Sequence, residues 1–286
     1  MIITMKKSNI GTMYILIAAV VFSLGGLLIK LIPFSPLALA SGRCIFSSLV
    51  IGLYFYVTKK KIKINKTTIF GALLVILNML TYIVSNKLTT AANAIVLEYT
   101  SSIFIIIFEF LIFKKKPSNF DAIITLIVFI GIAIVFIDGI NTDGILGIII
   151  ALMGGAIYGL IFLINSFDGG DSTSSVLIGH ILCAIINLPF LLQESEFTVT
   201  TLTSIAVFGI VQTGFGYLFL SLGTKYCKPL TASLVASIEP ILNPIIVAIF
   251  YHEYMSPLAI VGATIVIGSV IVYNIFSASM SKKKMG

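Results

Sequence analysis

Ten apolar stretches of about 20 residues each succeed one another through this sequence, and a chain built that way has very few folds open to it. They run approximately over Ile10–Ile32, Pro36–Val57, Thr68–Ser85, Ala91–Phe113, Phe120–Ile137, Gly144–Ile164, Ser174–Leu192, Thr200–Leu222, Leu230–Tyr251 and Pro257–Phe276. A helix rising 1.5 Å per residue needs about 20 such residues to cross a hydrocarbon core of roughly 30 Å. Lipid offers the backbone no hydrogen-bond partners, so each run is expected to satisfy its own polar groups as a helix. Composition agrees: charged residues make up 10% of the chain and hydrophobic ones 58%, against roughly 25% charged in soluble domains. The expected fold class is an all-α integral membrane protein. Its connections are short, which leaves no room for an appended catalytic domain, so the chain is not expected to be an enzyme.

The net charge of +7 raises the question of nucleic acid, but the lysines answer it by where they stand. Ten crossings put both termini on one side. Lys6, Lys7, the cluster Lys59 to Lys61 with Lys63 and Lys66, then Lys114 to Lys116, Lys225, Lys228 and Lys282 to Lys284 fall on that side, 15 of the 18 basic residues. Asp138, Asp143, Glu194 and Glu196 fall on the other. Because cytoplasmic loops hold the basic excess, both termini are expected in the cytoplasm of a multi-pass protein of the cell (inner) membrane, with no nucleic-acid partner. Met1–Asn9 reads as a short basic head, since the run behind it is too long for a signal peptide. Cys44, Cys183 and Cys227 sit singly in apolar runs without metal-ligand spacing, so no metal or other cofactor is expected.

A repeat is legible as well. Thr89 to Val96 precedes Tyr99-Thr100-Ser101-Ser102, and about 138 positions later Pro229 to Leu234 precedes Ser237-Ile238-Glu239-Pro240. Lys87 and Lys225 fall at matching places, and Gly131 matches Gly268 within one residue. The expected units are residues 1–140 and 141–286, five helices each. Five is odd, so the second unit enters the membrane from the opposite face. Such inverted repeats are the build of many secondary transporters, with the substrate near the midplane between halves.

The run Ala91-Ala92-Asn93-Ala94 leading to Tyr99-Thr100-Ser101, the Glu239-Pro240 pair, Arg43 early in the second span and Glu253 after the ninth together resemble the drug/metabolite transporter (DMT) superfamily, EamA-type branch. The resemblance spans essentially the whole chain. It departs at Ser102, where the first half often has proline, at Lys115, where an acidic residue is usual, and in the lack of tryptophan. It implies secondary transport, commonly export, of amino acids, nucleosides, sugars or other metabolites.

Ionisable groups at membrane depth are costly and count as functional candidates. Arg43 and Glu98 each lie about seven residues, roughly 10 Å, inside the outer ends of their helices, within reach of a charge-assisted pair. In the second half His180 stands 137 positions after Arg43, and Glu239 one helical turn beyond the position that answers to Glu98. Pro240 and Pro244 follow it, freeing carbonyls where a cavity needs lining. Asn78, Tyr82, Tyr99, Thr100, Tyr158, Gln212, Tyr217 and Asn243 also fall near mid-membrane. From these the substrate-binding or coupling set is Arg43, Glu98, Tyr99, His180, Gln212, Tyr217, Glu239 and Asn243. Glu98 and Glu239 are assigned protons or a substrate amine, and Arg43 a carboxylate. Gly155-x-x-x-Gly159 is read as a close helix contact, Asp121 as a helix-start charge, and Glu109 as a partner of the lysines beyond it. No phosphate-binding loop, HExxH or Gly-x-Ser-x-Gly is present, which disfavours an ATP-driven pump or a membrane protease. The function expected is secondary transport of a small organic metabolite, such as an amino acid, by alternating access around a central cavity. The alternative is a receptor or embedded enzyme using that cavity without net transport.

Overall fold

A computed structural model describes the backbone of residues 2–116, 118–141 and 144–283, and most side chains from Asn9 to Phe276. Among the described residues every regular element is a helix. In chain order they are α1 (Ile2–Phe22), α2 (Gly25–Leu31), α3 (Pro36–Thr58), α4 (Lys66–Leu88), α5 (Ala91–Glu98), α6 (Ser101–Phe113), α7 (Asn119–Asn141), α8 (Ile145–Leu163), α9 (Ser172–Leu191), α10 (Val199–Val207), α11 (Gly216–Gly223), α12 (Pro229–Ala236), α13 (Glu239–Tyr251) and α14 (Pro257–Lys283). A 3-10 turn, Ile164–Ser166, follows α8, and a π-helical stretch, Phe208–Phe215, joins α10 to α11.

Among the described residues, seven helical stretches are long and apolar enough to cross a membrane: Asn9–Leu31, Pro36–Thr58, Lys66–Leu88, Ala91–Phe113, Ile145–Ser166, Ser172–Leu191 and Val199–Gly223. Shorter apolar helices occupy Leu126–Val135, Glu239–Tyr251 and Pro257–Ser269. These ten segments fall on the ten runs read from the sequence. The third starts two residues earlier than its apolar run because Asn65 caps it: the Asn65 side chain accepts from Thr68 N, and Thr68 Oγ1 accepts from Asn65 N. Asp171 starts α9 early in the same way, accepting from Ser174 N. The side chains of Lys6, Lys7, Asp121, Asp138 and Lys282 to Lys284, and Asp143 altogether, lie outside the described residues.

Polarity is turned inside out relative to a soluble bundle. Leu49, Leu53, Tyr56, Ile185, Ile186, Val199, Ile249 and Phe250 face outward, while Arg43, Asn78, Asn93, Glu98, His180, Gln212, Glu239 and Asn243 are buried. Helix contact relies on small residues. A Cβ on Gly131 of α7 would fall 3.0 Å from Gly262 O of α14, and one on Gly155 of α8 would fall 2.5 Å from Thr100 Oγ1 and 2.6 Å from Leu97 O. The glycine pair expected to allow close contact thus seats α8 against the junction of α5 and α6. Elsewhere α3 packs most heavily on α9, and α4 on α8 and α9.

The polar contacts sort the bundle into two ends. At one, Lys30 pairs with Glu253 at 2.8 Å and donates to Thr89 O, Glu253 accepts from Ala91 N, Lys87 donates to Ile32 O and Phe34 O, and Ser35 N donates to Glu194. At the other, Asp171 pairs with Lys60 at 3.3 Å and Lys225 at 3.6 Å, while Asn65 and Thr67 donate to Gly169 O and Asp168 O. Burial pushes the Asp171 carboxyl up, but the Ser174 amide and the two lysines outweigh it and hold the group below the usual range. Burial, with Lys60 beside it, lowers Lys225 to about 8 despite the attraction of Asp171.

Candidate functional site

Four of the apolar stretches lose regular α-helical hydrogen bonding partway, and the breaks converge. The first breaks at Ser23–Leu24, where Ser23 Oγ turns back to Val20 O at 2.6 Å. Another breaks at Tyr99–Thr100, where Thr100 Oγ1 donates to Leu97 O at 2.6 Å. A third breaks at Ser237–Ile238 ahead of Pro240, whose missing N–H and fixed φ suit the first turn of a helix. The fourth is the π-helical stretch Phe208–Phe215, which lies close along α3: a Cβ on Gly209 would stand 2.7 Å from Arg43 O. Wide π turns re-aim side chains and recur at functional sites. Here the turn presents Gln212, whose Nε2 donates to Phe22 O at 3.3 Å.

These breaks surround one polar cavity lined by Phe22, Arg43, Asn78, Tyr82, Glu98, Tyr158, Gln212, Tyr217 and Glu239. Its volume is about 20 Å³, room for about one water molecule. Asn78 Nδ2 donates to Glu98 Oε1 at 2.9 Å and reaches the Tyr217 hydroxyl at 3.4 Å. Tyr99 donates its hydroxyl to Glu239 Oε2 at 2.7 Å. Asn243 Nδ2 donates to the Tyr82 hydroxyl at 3.2 Å. Tyrosine rings form the rest of the wall: Tyr217 stands edge-on to Phe22 at 5.0 Å, and Tyr158 to Tyr99 at 6.0 Å between centroids. Chemically the cavity offers two carboxylates, one guanidinium and several hydroxyls. Arg43 Nε and Asn78 Oδ1 are buried and have no protein hydrogen-bond partner.

Five of the eight candidates, Arg43, Glu98, Gln212, Tyr217 and Glu239, line the cavity itself. Tyr99 and Asn243 stand one hydrogen bond behind it, on Glu239 and Tyr82. His180 stands one ring behind, with its imidazole 5.1 Å from the Tyr217 centroid and Nδ1 2.8 Å from Ser47 Oγ, joining α9 to α3. The Arg43–Glu98 ion pair that the sequence allows is not formed among the described residues. Arg43 instead donates to Met79 O at 3.2 Å and lies over the Phe208 ring at 5.0 Å, a contact that compensates a buried guanidinium without neutralising it. Glu109 does meet Lys115, as the sequence led one to expect. Sequence reasoning passed over Phe22 and Phe208, because a phenylalanine in an apolar run carries no signal. The glycine pair Gly25-Gly26 beside Phe22 was the available cue to a broken helix.

A polar cavity buried inside a helical bundle with an apolar exterior defines a multi-pass membrane protein. The EamA-like transporter family matches the chain twice, over residues 9–137 and 145–275, and the protein belongs to that family, within the DMT superfamily. An uncharacterized transporter of Clostridium kluyveri is 26% identical over 211 residues, covering 69% of this chain and 68% of that one. A solved structure described as the crystal structure of a protein superposes with a TM-score of 0.69 at 14% identity, over 93% of this chain and 97% of the other, which establishes a shared fold.

Proposed function

We propose that this protein is a secondary transporter that crosses the cell membrane ten times and exports a small organic metabolite, such as an amino acid, by alternating access. The observation that carries the reading is the buried central cavity, where carboxylates, a guanidinium and tyrosines from both halves of the chain meet at broken helices. Discontinuous helices around a midplane site are the usual arrangement for binding a charged solute in lipid. A space of about 20 Å³ is far too small for a metabolite, so solute entry requires one end of the bundle to part. Polar contacts close both ends, and a transporter opens them in turn.

Two five-helix halves, residues 1–140 and 141–286, are supported by element correspondence. Ala91, Ser101 and Asn119 begin α5, α6 and α7; Pro229, Glu239 and Pro257 begin α12, α13 and α14, each 138 positions later. The contacts at the two ends support inversion, since Glu253 after α13 meets Lys30 at one end while the equivalent Lys115 after α6 lies toward the end that holds Lys60 and Asp171. With the lysine-rich end in the cytoplasm, both termini lie there. Glu98 and Glu239 carry coupling protons or receive a substrate amine, and Arg43 receives a carboxylate.

Purified protein is screened by thermal shift against amino acids, nucleosides, amines and sugars, and the stabilising compound is radiolabelled for counterflow in proteoliposomes. Counterflow that slows at least several-fold in Glu98→Gln or Glu239→Gln supports the assignment. Wild-type rates in both variants refute the roles of the carboxylates. Binding without counterflow refutes transport and leaves the receptor or embedded-enzyme reading.

A further inference from the structure

The repeat is unusually exact around one ion pair. His252, which ends α13, has φ 57°, and Lys114, which ends α6 138 positions earlier, has φ 56°. Both helices are 13 residues long. Glu253 and Lys115 therefore stand at equivalent points, one residue past a left-handed cap. The partner of Glu253 is Lys30, and 138 positions after Lys30 comes Asp168. The equivalence of these two holds within about half a helical turn, because α3 and α9 begin 136 positions apart at Pro36 and Ser172. The same pair of positions thus carries Lys30 with Glu253 at one end and Asp168 with Lys115 at the other, with the signs exchanged.

Only the first pair is joined. Lys30 and Glu253 stand 2.8 Å apart, and Glu253 also accepts from Ala91 N while Lys30 donates to Thr89 O, so the link ties the end of α2 to the start of α5 and the turn after α13. At the opposite end Lys115 turns back to Glu109 of its own helix, and the Asp168 carboxylate forms no ion pair among the described residues. Their segments are nonetheless neighbours. The Phe113 and Phe167 rings, two residues before Lys115 and one before Asp168, pack with centroids 5.3 Å apart. Glu109 has no acidic equivalent in the second half, where Val247 stands in its place, so Lys115 alone has a second partner to park on.

We infer that Lys30–Glu253 and Lys115–Asp168 are alternating latches, positioning residues of which one pair is joined while the other is parted. In an inverted repeat, the second conformation is reached when each half adopts the arrangement the other now holds. The exchange that parts Lys30 from Glu253 therefore moves Lys115 from Glu109 to Asp168. The charges are swapped between ends, so no latch residue can pair with its symmetry mate's partner in the wrong sense along one half. This rests on the alternating-access reading, and its test needs no solute.

Disulfide trapping in native membranes reads the approach directly. In the K115C/D168C double variant, E253Q is expected to raise copper-phenanthroline cross-linking about two- to fivefold, the range that a partly exposed ion pair supports. Charge reversal, K30E with E253K on the same background, is expected to return cross-linking to the starting level. It also guards against a trivial folding defect of E253Q. Conversely, K115E raises cross-linking of K30C/E253C, and K115E/D168K restores it. Cross-linking indifferent to E253Q, or not restored by charge reversal, overturns the proposal. If the cross-links shift as described while the compound that stabilises the purified protein shows no counterflow, the latches stand and the transport reading alone fails.

Discussion

Tyr99→Phe is a perturbation whose size the structure sets. The Tyr99 hydroxyl donates to Glu239 Oε2 at 2.7 Å, Tyr99 is 1% exposed and Glu239 5%. Phenylalanine keeps the ring and its edge contact with Tyr158, so neither a cavity nor a clash accompanies the loss. What goes is the donor to a buried carboxyl group, whose Oε2 loses the hydrogen bond it accepts from Tyr99. Leaving such a group unsatisfied costs about 1–3 kcal/mol, and the hydrogen bond itself contributes about 0.5–1.5 kcal/mol when both partners are neutral and about 1.5–3 kcal/mol when one is charged. A double-mutant cycle of Tyr99→Phe with Glu239→Met, which leaves no side-chain oxygen to accept, isolates the coupling. The chain contains no tryptophan, so unfolding in mixed micelles with increasing dodecyl sulfate is followed by circular dichroism. Tyr82→Phe is the control, because Tyr82 lines the same cavity but accepts from Asn243. Its coupling to Glu239 is expected near zero. A Tyr99–Glu239 coupling below about 0.3 kcal/mol, indistinguishable from the additive error between independent sites, refutes the claim that this bond ties α13 to the α5–α6 break.

Two further outcomes follow from the packing and the charges. Gly155→Ala is expected to lose about 1–3 kcal/mol in the same unfolding titration, because a Cβ there would meet Leu97 O at 2.6 Å, a backbone atom that cannot swing aside; an unchanged titration contradicts the close seating of α8. Lys225 is held at about 8 in the folded protein and reverts to about 10.4 in the unfolded chain. Between those values the unfolded form binds more protons, so folding stability rises as pH climbs from about 8 toward 10. Melting of the wild type is expected to move upward over that window, and Lys225→Gln to remove the rise; a rise that survives the substitution shows that another group supplies it.

The correspondence between halves was visible in sequence only as scattered short matches, because apolar helices resemble one another by composition. In the structure α5, α6 and α7 begin at Ala91, Ser101 and Asn119, and α12, α13 and α14 each begin 138 positions later. Glu98 and Glu239 were legible as candidate site residues because a carboxyl group at membrane depth demands an explanation by itself. Arg43 was legible for the same reason, but its partner was not. Opposite charge favours Glu98 on paper, whereas the packed bundle sets Arg43 against Met79 O and the Phe208 ring and gives Glu98 to Asn78. His180 was placed with the site by its spacing from Arg43, and the fold sets it one ring behind, on Ser47.

The sequence by itself determined that the chain lives in a membrane and where its helices lie, since hydrocarbon imposes its demand on every backbone group and side chain along a run, one segment at a time. It also determined which few ionisable groups would be forced into the interior. Only the tertiary structure decided which of those groups face one another, because rotation of each helix about its axis, and the positions at which four stretches unwind, depend on contacts from segments more than a hundred residues away. Gln212 reaches the cavity through a π turn laid against α3, and Glu253 reaches Lys30 from the other half of the sequence. No local pattern encodes such meetings; they result from packing all the helices at once.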